Sequence, residues 1–139
     1  MRLRSDARQL PYRSGSFDLI FCSPPWDNLG VLEEARPEME RVLSKRGRMA
    51  LLLPNEDANL ASLVLTNRDW TERQSLACEK PRTIRGYRYY SPSEDFVARV
   101  LKLHAPDNAR VLDPFCGTGT IPNVAGRMGF FAVGSDIAA

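Results

Sequence analysis

The segment Val111-Leu112-Asp113-Pro114-Phe115-Cys116-Gly117-Thr118-Gly119-Thr120-Ile121 leaves a backbone few options. Arg110 to Leu112 reads as the end of a short buried strand, and the polar, glycine-bearing stretch after it has to turn sharply. Gly117 and Gly119 put no side chain on that turn, so a ligand can lie directly against main chain. Thr118 or Thr120 is placed to cap a helix from about Ile121 to Met128, with Pro122 tolerated in its first turn. The next run, Phe130-Phe131-Ala132-Val133-Gly134, predicts a strand ending at Ser135-Asp136. Strand, glycine turn and helix N-terminus form a recurring nucleotide-holding device of α/β proteins, with an acid about 20 residues on for ribose hydroxyls. Gly117-Thr118-Gly119 lacks the third glycine of the dinucleotide fingerprint, and no Lys-Ser/Thr follows as in a P-loop. The turn alone therefore leaves a structural role and a nucleotide site both open.

Upstream, Ser14-Gly15-Ser16 is a turn cluster, and Phe17-Asp18-Leu19-Ile20-Phe21-Cys22 has the length and apolarity of a central parallel strand. From Val31 to Lys45 the pattern is an amphipathic helix, with Leu32, Ala35, Met39, Val42 and Leu43 on one face. Pro37 predicts either a kink or a start near Arg36. Gly47 is expected to end the helix, ahead of a second buried strand over 48–53 that Pro54 stops. Strand, helix, strand in that order predicts a parallel crossover. Asp57 to Thr66 reads as a shorter helix with Leu60, Leu63 and Val64 apolar, and Trp70 to Cys78 as an edge strand. Ser93 opens a helix to about Leu103, with Glu94 and Asp95 near its positive end.

Ser23-Pro24-Pro25-Trp26 follows the first central strand. Two prolines cannot donate ladder hydrogen bonds, so the strand stops there, at the edge where open α/β sheets place their chemistry. By itself this is also what a proline-stopped strand with a packed tryptophan looks like.

Taken whole, Asp113-Pro-Phe-Cys-Gly-Thr-Gly-Thr120 resembles the S-adenosylmethionine motif of the amino-methyltransferases that act on exocyclic amines of nucleic-acid bases. Ser23-Pro24-Pro25-Trp26 is similar to the Asp/Asn/Ser-Pro-Pro-aromatic signature of the same enzymes. The order, Pro-Pro motif first and cofactor motif second, resembles the permuted (beta-class) DNA methyltransferases. The resemblance implies an α/β fold, a Rossmann-like methyltransferase domain over 1–139 with a mainly parallel sheet flanked by helices, in truncated or permuted form. It implies S-adenosylmethionine as cofactor, with Asp113, Pro114, Phe115, Gly117 and Gly119 against it and Asp136 on its ribose. Asp6-Ala7 resembles the acidic loop that contacts the cofactor adenine, and the segment containing Ser91 resembles the one closing over the methionine end.

For catalysis the chemistry explains the residue types. A base amine conjugated with its ring is a poor nucleophile. The Ser23 hydroxyl and the Pro24 carbonyl can accept its two N–H bonds, localising the lone pair for in-line attack on the methyl sulfonium. Pro24 and Pro25 stiffen these acceptors, and Trp26 offers a face for a base drawn out of its helix. No metal is required. Serine at the first position resembles the cytosine-N4 enzymes, with adenine N6 as the other DNA target. The Cys116-to-Ile121 and Gly134-to-Ile137 segments are also similar to guanine-N2 transfer-RNA methyltransferases, and an inactive cofactor- or nucleic-acid-binding fragment is a third reading.

The substrate surface is expected around Arg82, Arg85 and Arg88, closely spaced with Lys80 and interleaved with Tyr87, Tyr89 and Tyr90 without a carboxylate. A solvated hairpin has the same composition. A net charge of +2 argues for no particular partner. The apolar runs are too short to span a bilayer. Three scattered cysteines suit a reducing cytoplasm, and one histidine, His104, builds no metal site alone. Family members continue past the position of Asp136, so the expectation is a fragment, a minimal enzyme, or half of an assembly such as a homodimer.

Overall fold

The computed structural model describes residues 2–55, 60–70, 73–77 and 92–138. In chain order the elements are β1 (Arg2–Arg4), β2 (Phe17–Cys22), α1 (Gly30–Val42), β3 (Leu43–Asn55), β4 (Leu60–Asn67), β5 (Arg73–Ala77), α2 (Glu94–His104), β6 (Arg110–Asp113), α3 (Thr120–Arg127) and β7 (Phe131–Asp136). The strands form one sheet in the order β1-β7-β6-β2-β3-β4-β5. The β1–β7, β7–β6, β6–β2 and β2–β3 pairs are parallel; the β3–β4 and β4–β5 pairs are antiparallel. This is the expected mainly parallel α/β sheet.

Residues 19–22, 49–52 and 111–112 of the central strands are apolar and buried because both sheet faces are covered. Leu19 and Phe21 of β2 pack with Phe96, Val97 and Leu101 of α2 and with Ile121 and Val124 of α3. Ile20 and Cys22 point the other way, into a cluster with Ala35, Met39 and Val42 of α1. Phe17 joins that second cluster too, because the β2–β3 register shifts between Phe17 and Leu19.

The strands ending at Cys22 and Asp113 are direct neighbours, with Leu19 opposite Val111 and Ile20 opposite Leu112. Asp18 fastens them at their N-terminal ends. Its carboxylate accepts from the Arg110 amide at 2.9 Å and from the guanidinium Nε and Nη2, both at 3.1 Å. Along β2, α1 and β3 the chain makes the expected parallel crossover.

Several boundaries differ from expectation. The segment read as a helix over 57–66 contributes β4 instead. It pairs with β3 from Asn55–Leu60 to Arg48–Asn67, and it is buried on both faces, through Leu63 and Leu65 on one and Val64 on the other. The apolar spacing that suited a helix is also that of a two-sided strand. Helix α1 starts before Pro37 and runs through it, and Leu43 is already extended at ψ 136°. Gly47 therefore ends no helix; it lies within β3, where an added Cβ would come 2.5 Å from Leu43 Cδ1. Pro54 does not stop β3 either. Pairing with β2 ends at Leu51, so at Pro54 the strand has a neighbour on one side only. The expected edge strand over 70–78 is β5, and α2 begins as expected, with Ser93 Oγ accepting from the Phe96 amide at 3.2 Å. Among the described residues, no helix is long and apolar enough to cross a membrane.

Candidate functional site

The turn after β6 is built on a buried acid. Asp113 is 2 % exposed and its Oδ1 accepts from the Phe115 amide at 3.0 Å. Burial pushes its carboxyl well above the usual carboxylate range; the Phe115 amide opposes that shift and the charge of Asp136 adds to it. The chain then passes Gly117 at φ 52° and Gly119 at φ 92°, conformations that side-chain-bearing residues avoid. Gly119 itself is the N-cap of α3 and no side chain caps the helix, so neither Thr118 nor Thr120 has the expected capping role. The turn is held from β7 as well. The Cys116 amide donates to the Ser135 carbonyl at 3.0 Å, and the Gly117 amide to Asp136 Oδ2 at 2.9 Å. Gly134 permits this approach, since a Cβ there would meet Pro122 and Cys116 at 2.8 and 2.9 Å.

On the neighbouring strand, β2 delivers Ser23 to the same end of the sheet. Ser23 is 7 % exposed, and its Oγ has no hydrogen-bond partner among the described residues. A buried hydroxyl without a partner is costly unless a ligand completes it. The chain turns over Trp26 and Asp27, where the Asn28 amide donates to the Pro25 carbonyl at 3.2 Å, and enters α1. The indole N–H of Trp26 donates to the Leu52 carbonyl of β3 at 3.1 Å, which fixes the ring.

Between the two turns lies a cavity of about 470 Å³, within the size range of small-molecule sites. One wall comes from Ser23, Pro25, Asp27, Asn28 and Val31; another from Pro114, Phe115, Gly117, Asp136 and Ile137. The third is the loop after β1, with Asp6, Ala7 and Arg8. The Arg8 guanidinium grips Asp6 through Nε at 3.0 Å and Nη2 at 2.8 Å, and it reaches Glu34 of α1 with Nη1 at 3.1 Å. These bonds hold the Asp6 carboxyl below its ordinary value and raise that of Arg8. Helix α1 fixes the rest of the loop. Glu38 accepts from the Leu10 amide at 2.9 Å, while Arg41 donates to the carbonyls of Leu10 at 3.0 Å and Tyr12 at 2.8 Å.

Of the residues singled out in the sequence, the cavity brings together Asp6, Ser23, Pro25, Pro114, Phe115, Gly117 and Asp136. Pro24, Trp26, Asp113 and Gly119 are not among the described residues that line it. Asp113 is spent on the turn, Gly119 on the helix start, and Trp26 on β3. Ser91, Arg82, Arg85 and Arg88 lie outside the described residues. Arg8, Asp27, Asn28 and Ile137 line the cavity without having been singled out. Asp27 and Asn28 follow Trp26 directly and Ile137 follows Asp136, so adjacency to a motif was the available signal. Among the described residues no group of three or more His, Cys, Asp or Glu is placed to hold a metal ion.

A family model described as a methyltransferase domain matches residues 2–51, the stretch from β1 into β3. The structure superimposes on TTHA0409 of Thermus thermophilus, a proposed DNA modification methylase, with a TM-score of 0.68 at 16% identity, covering 98% of this chain and 88% of that one. The fold is that of a methyltransferase domain. The same Thermus protein complexed with S-adenosyl-L-methionine gives a TM-score of 0.64 at 16% identity, over 98% of this chain and 87% of that one. M1.HpyAVI in its SAM complex gives 0.57 at 16% identity, over 97% and 90%. No curated protein matches the sequence.

Proposed function

We propose that this chain transfers a methyl group from S-adenosylmethionine to an exocyclic amine of a DNA base, with cytosine N4 as the target that best suits Ser23. The observation that carries the reading is the shared cavity. Two turns far apart in sequence meet at the ends of adjacent strands, and Ser23, whose buried hydroxyl has no partner among the described residues, is one of the residues lining the space between them. A methyl donor and a base amine have to meet, and this arrangement provides one place for both.

In this reading the residues present fit the cofactor. Gly117 leaves main chain open to it, and the Asp136 carboxylate, already accepting the Gly117 amide, keeps lone pairs for ribose hydroxyls. Ile137, 60 % exposed at the mouth, and Phe115 offer apolar surface for the adenine, with Asp6 at its polar edge. The cofactor supplies an electrophilic methyl on a sulfonium. The protein supplies acceptors: Ser23 Oγ and the Pro24 carbonyl take the amine hydrogens and localise the lone pair. Trp26 is outside the cavity lining and held to β3 by its bond to Leu52; beside the Ser23 turn, its ring is the proposed stacking surface for an extruded base, worth about 1–3 kcal/mol by alanine substitution in other systems. Arg82, Arg85 and Arg88 are the proposed phosphate contacts. The DNA modification methylase among the structural neighbours supports DNA over transfer RNA, and the motif order supports the permuted class.

The test is methyl transfer from labelled S-adenosylmethionine to DNA and to transfer RNA in parallel. Label is expected in DNA. Label confined to transfer RNA would move the substrate assignment to the guanine-N2 reading, and cofactor binding without transfer to either would favour a binding domain.

A further inference from the structure

Between β2 and β3 the parallel register breaks at the end of the sheet remote from the cavity. Phe17 pairs with Leu43 and Leu19 with Arg48, so two steps along β2 match five along β3. The surplus residues, in the stretch Ser44-Lys45-Arg46-Gly47, leave the ladder as a bulge, a feature that re-aims side chains. Its base is fixed. Leu43 is fully buried, and the Ser44 hydroxyl donates to Asp18 Oδ1 at 3.3 Å. Gly47 is buried so close to Leu43 that an added Cβ would come 2.5 Å from its Cδ1. What the bulge presents to solvent is Lys45 and Arg46. Both are exposed, and neither forms a hydrogen bond or ion pair among the described residues.

More positive charge stands beside them. Arg48 is exposed one residue further on, and its pairing with Asn67 sets Arg68 next to the bulge on the β4 side. The charge reaches the end of α2, where burial and then Arg48 hold the His104 imidazole below its ordinary value. Of the carboxylates nearest in sheet and sequence, Asp18 is engaged by Arg110 and Ser44, and Asp69 directly follows Arg68. Lysine is depleted in protein–protein interfaces, and none of the large apolar side chains exposed among the described residues belongs to the bulge, so a protein partner finds no anchor there. A phosphate backbone needs only clustered cations. The choice of polyanion rests on the function proposed above, which makes DNA the substrate. Four strand positions, about 13 Å, separate Leu19, opposite Arg48, from Ser23 at the cavity. We propose that Lys45 and Arg46, with Arg48 beside them, are a second DNA-contact surface, which holds phosphates of the substrate away from the base being methylated.

The test measures DNA affinity against salt concentration for wild type, Lys45→Ala/Arg46→Ala and the charge-conserving Lys45→Arg/Arg46→Lys, with kcat, KM for DNA and calorimetric S-adenosylmethionine binding alongside. The alanine pair should lower the slope of log K against log salt by about 1.8, since each phosphate contacted on B-DNA contributes about 0.9. Its KM for DNA should rise, while kcat and cofactor affinity stay within about twofold, because the bulge is remote from the cavity. The charge-conserving pair should keep the wild-type slope. An unchanged slope in the folded alanine pair, or an equal loss in the charge-conserving pair, overturns the surface alone. A wild type that binds DNA with the expected dependence on Lys45 and Arg46 yet methylates no base overturns the function and leaves the surface standing. A wild type that binds no DNA overturns both.

Discussion

Asp136 shows how a side chain proposed for a ligand can also have a part in the fold. As an acid at the end of a strand it has the expected place, but both of its oxygens already accept backbone amides, from Gly117 and Ala138. It therefore shapes the glycine turn from β7 as well as lining the cavity. Asp136→Ala should weaken S-adenosylmethionine binding by about 1.5–3 kcal/mol, the usual range for hydrogen bonds to a charged group. Isothermal calorimetry measures this directly, and an unchanged affinity in the folded variant would remove Asp136 from the site. Asp113 carries the opposite lesson. Its sequence position suggests a ligand contact, yet at 2 % exposure it organises the turn from behind. Nothing in the residue letters separates an acid facing the cavity from one facing the core, because that depends on the turn's φ angles. Ser23 was legible because two prolines fix the chain just after it.

At the scale of elements, the strands that carry the site were legible from their buried runs, and the peripheral hairpin was not. Residues 60–67 place Leu60, Leu63 and Val64 at helical spacing, but Ala61 and Leu65 are buried as well, a pattern shared by a buried helix and a strand covered on both faces. The partner that decides the matter is β3, and its extension through Pro54 could not be foreseen from a proline. The pairing of β2 with β6 depends in part on Asp18 and Arg110. Hydrogen bonds from the Arg110 side chain hold the Asp18 carboxyl below its ordinary value, with the Arg110 amide and charge adding to the effect and partial burial opposing it. The folded-state value thus lies below the unfolded one. The contribution is fully present above the unfolded carboxylate value of about 3.9 and is lost as pH falls through the lower folded value. Asp18→Asn should cost about 1 kcal/mol at neutral pH, a figure discounted for the exposure of Arg110, and that deficit should shrink towards pH 3. Urea unfolding across this range checks it; a deficit that is constant with pH would contradict the assignment.

For the molecule as a whole, sheet order decides what chain order leaves ambiguous. Ser23 comes early and the glycine turn late, yet β2 and β6 lie side by side in the middle of the sheet, so the two turns open onto one cavity. Helix α1 ties the remaining wall into the same unit, reaching from the turn beyond Trp26 back to the loop of Asp6, Ala7 and Arg8 through Glu34, Glu38 and Arg41. This three-walled enclosure was only partly visible in the sequence, because Arg8 and Ile137 acquire their place from chain proximity rather than from a motif. The central claim is that the Ser23 turn activates an exocyclic amine. Digesting DNA methylated by this protein to nucleosides and locating the methyl group by mass spectrometry tests that claim most directly. N4-methylcytosine is the expected product, or N6-methyladenine if adenine is the base admitted; a methyl group on a ring carbon, as in 5-methylcytosine, would contradict that role for the Ser23 turn.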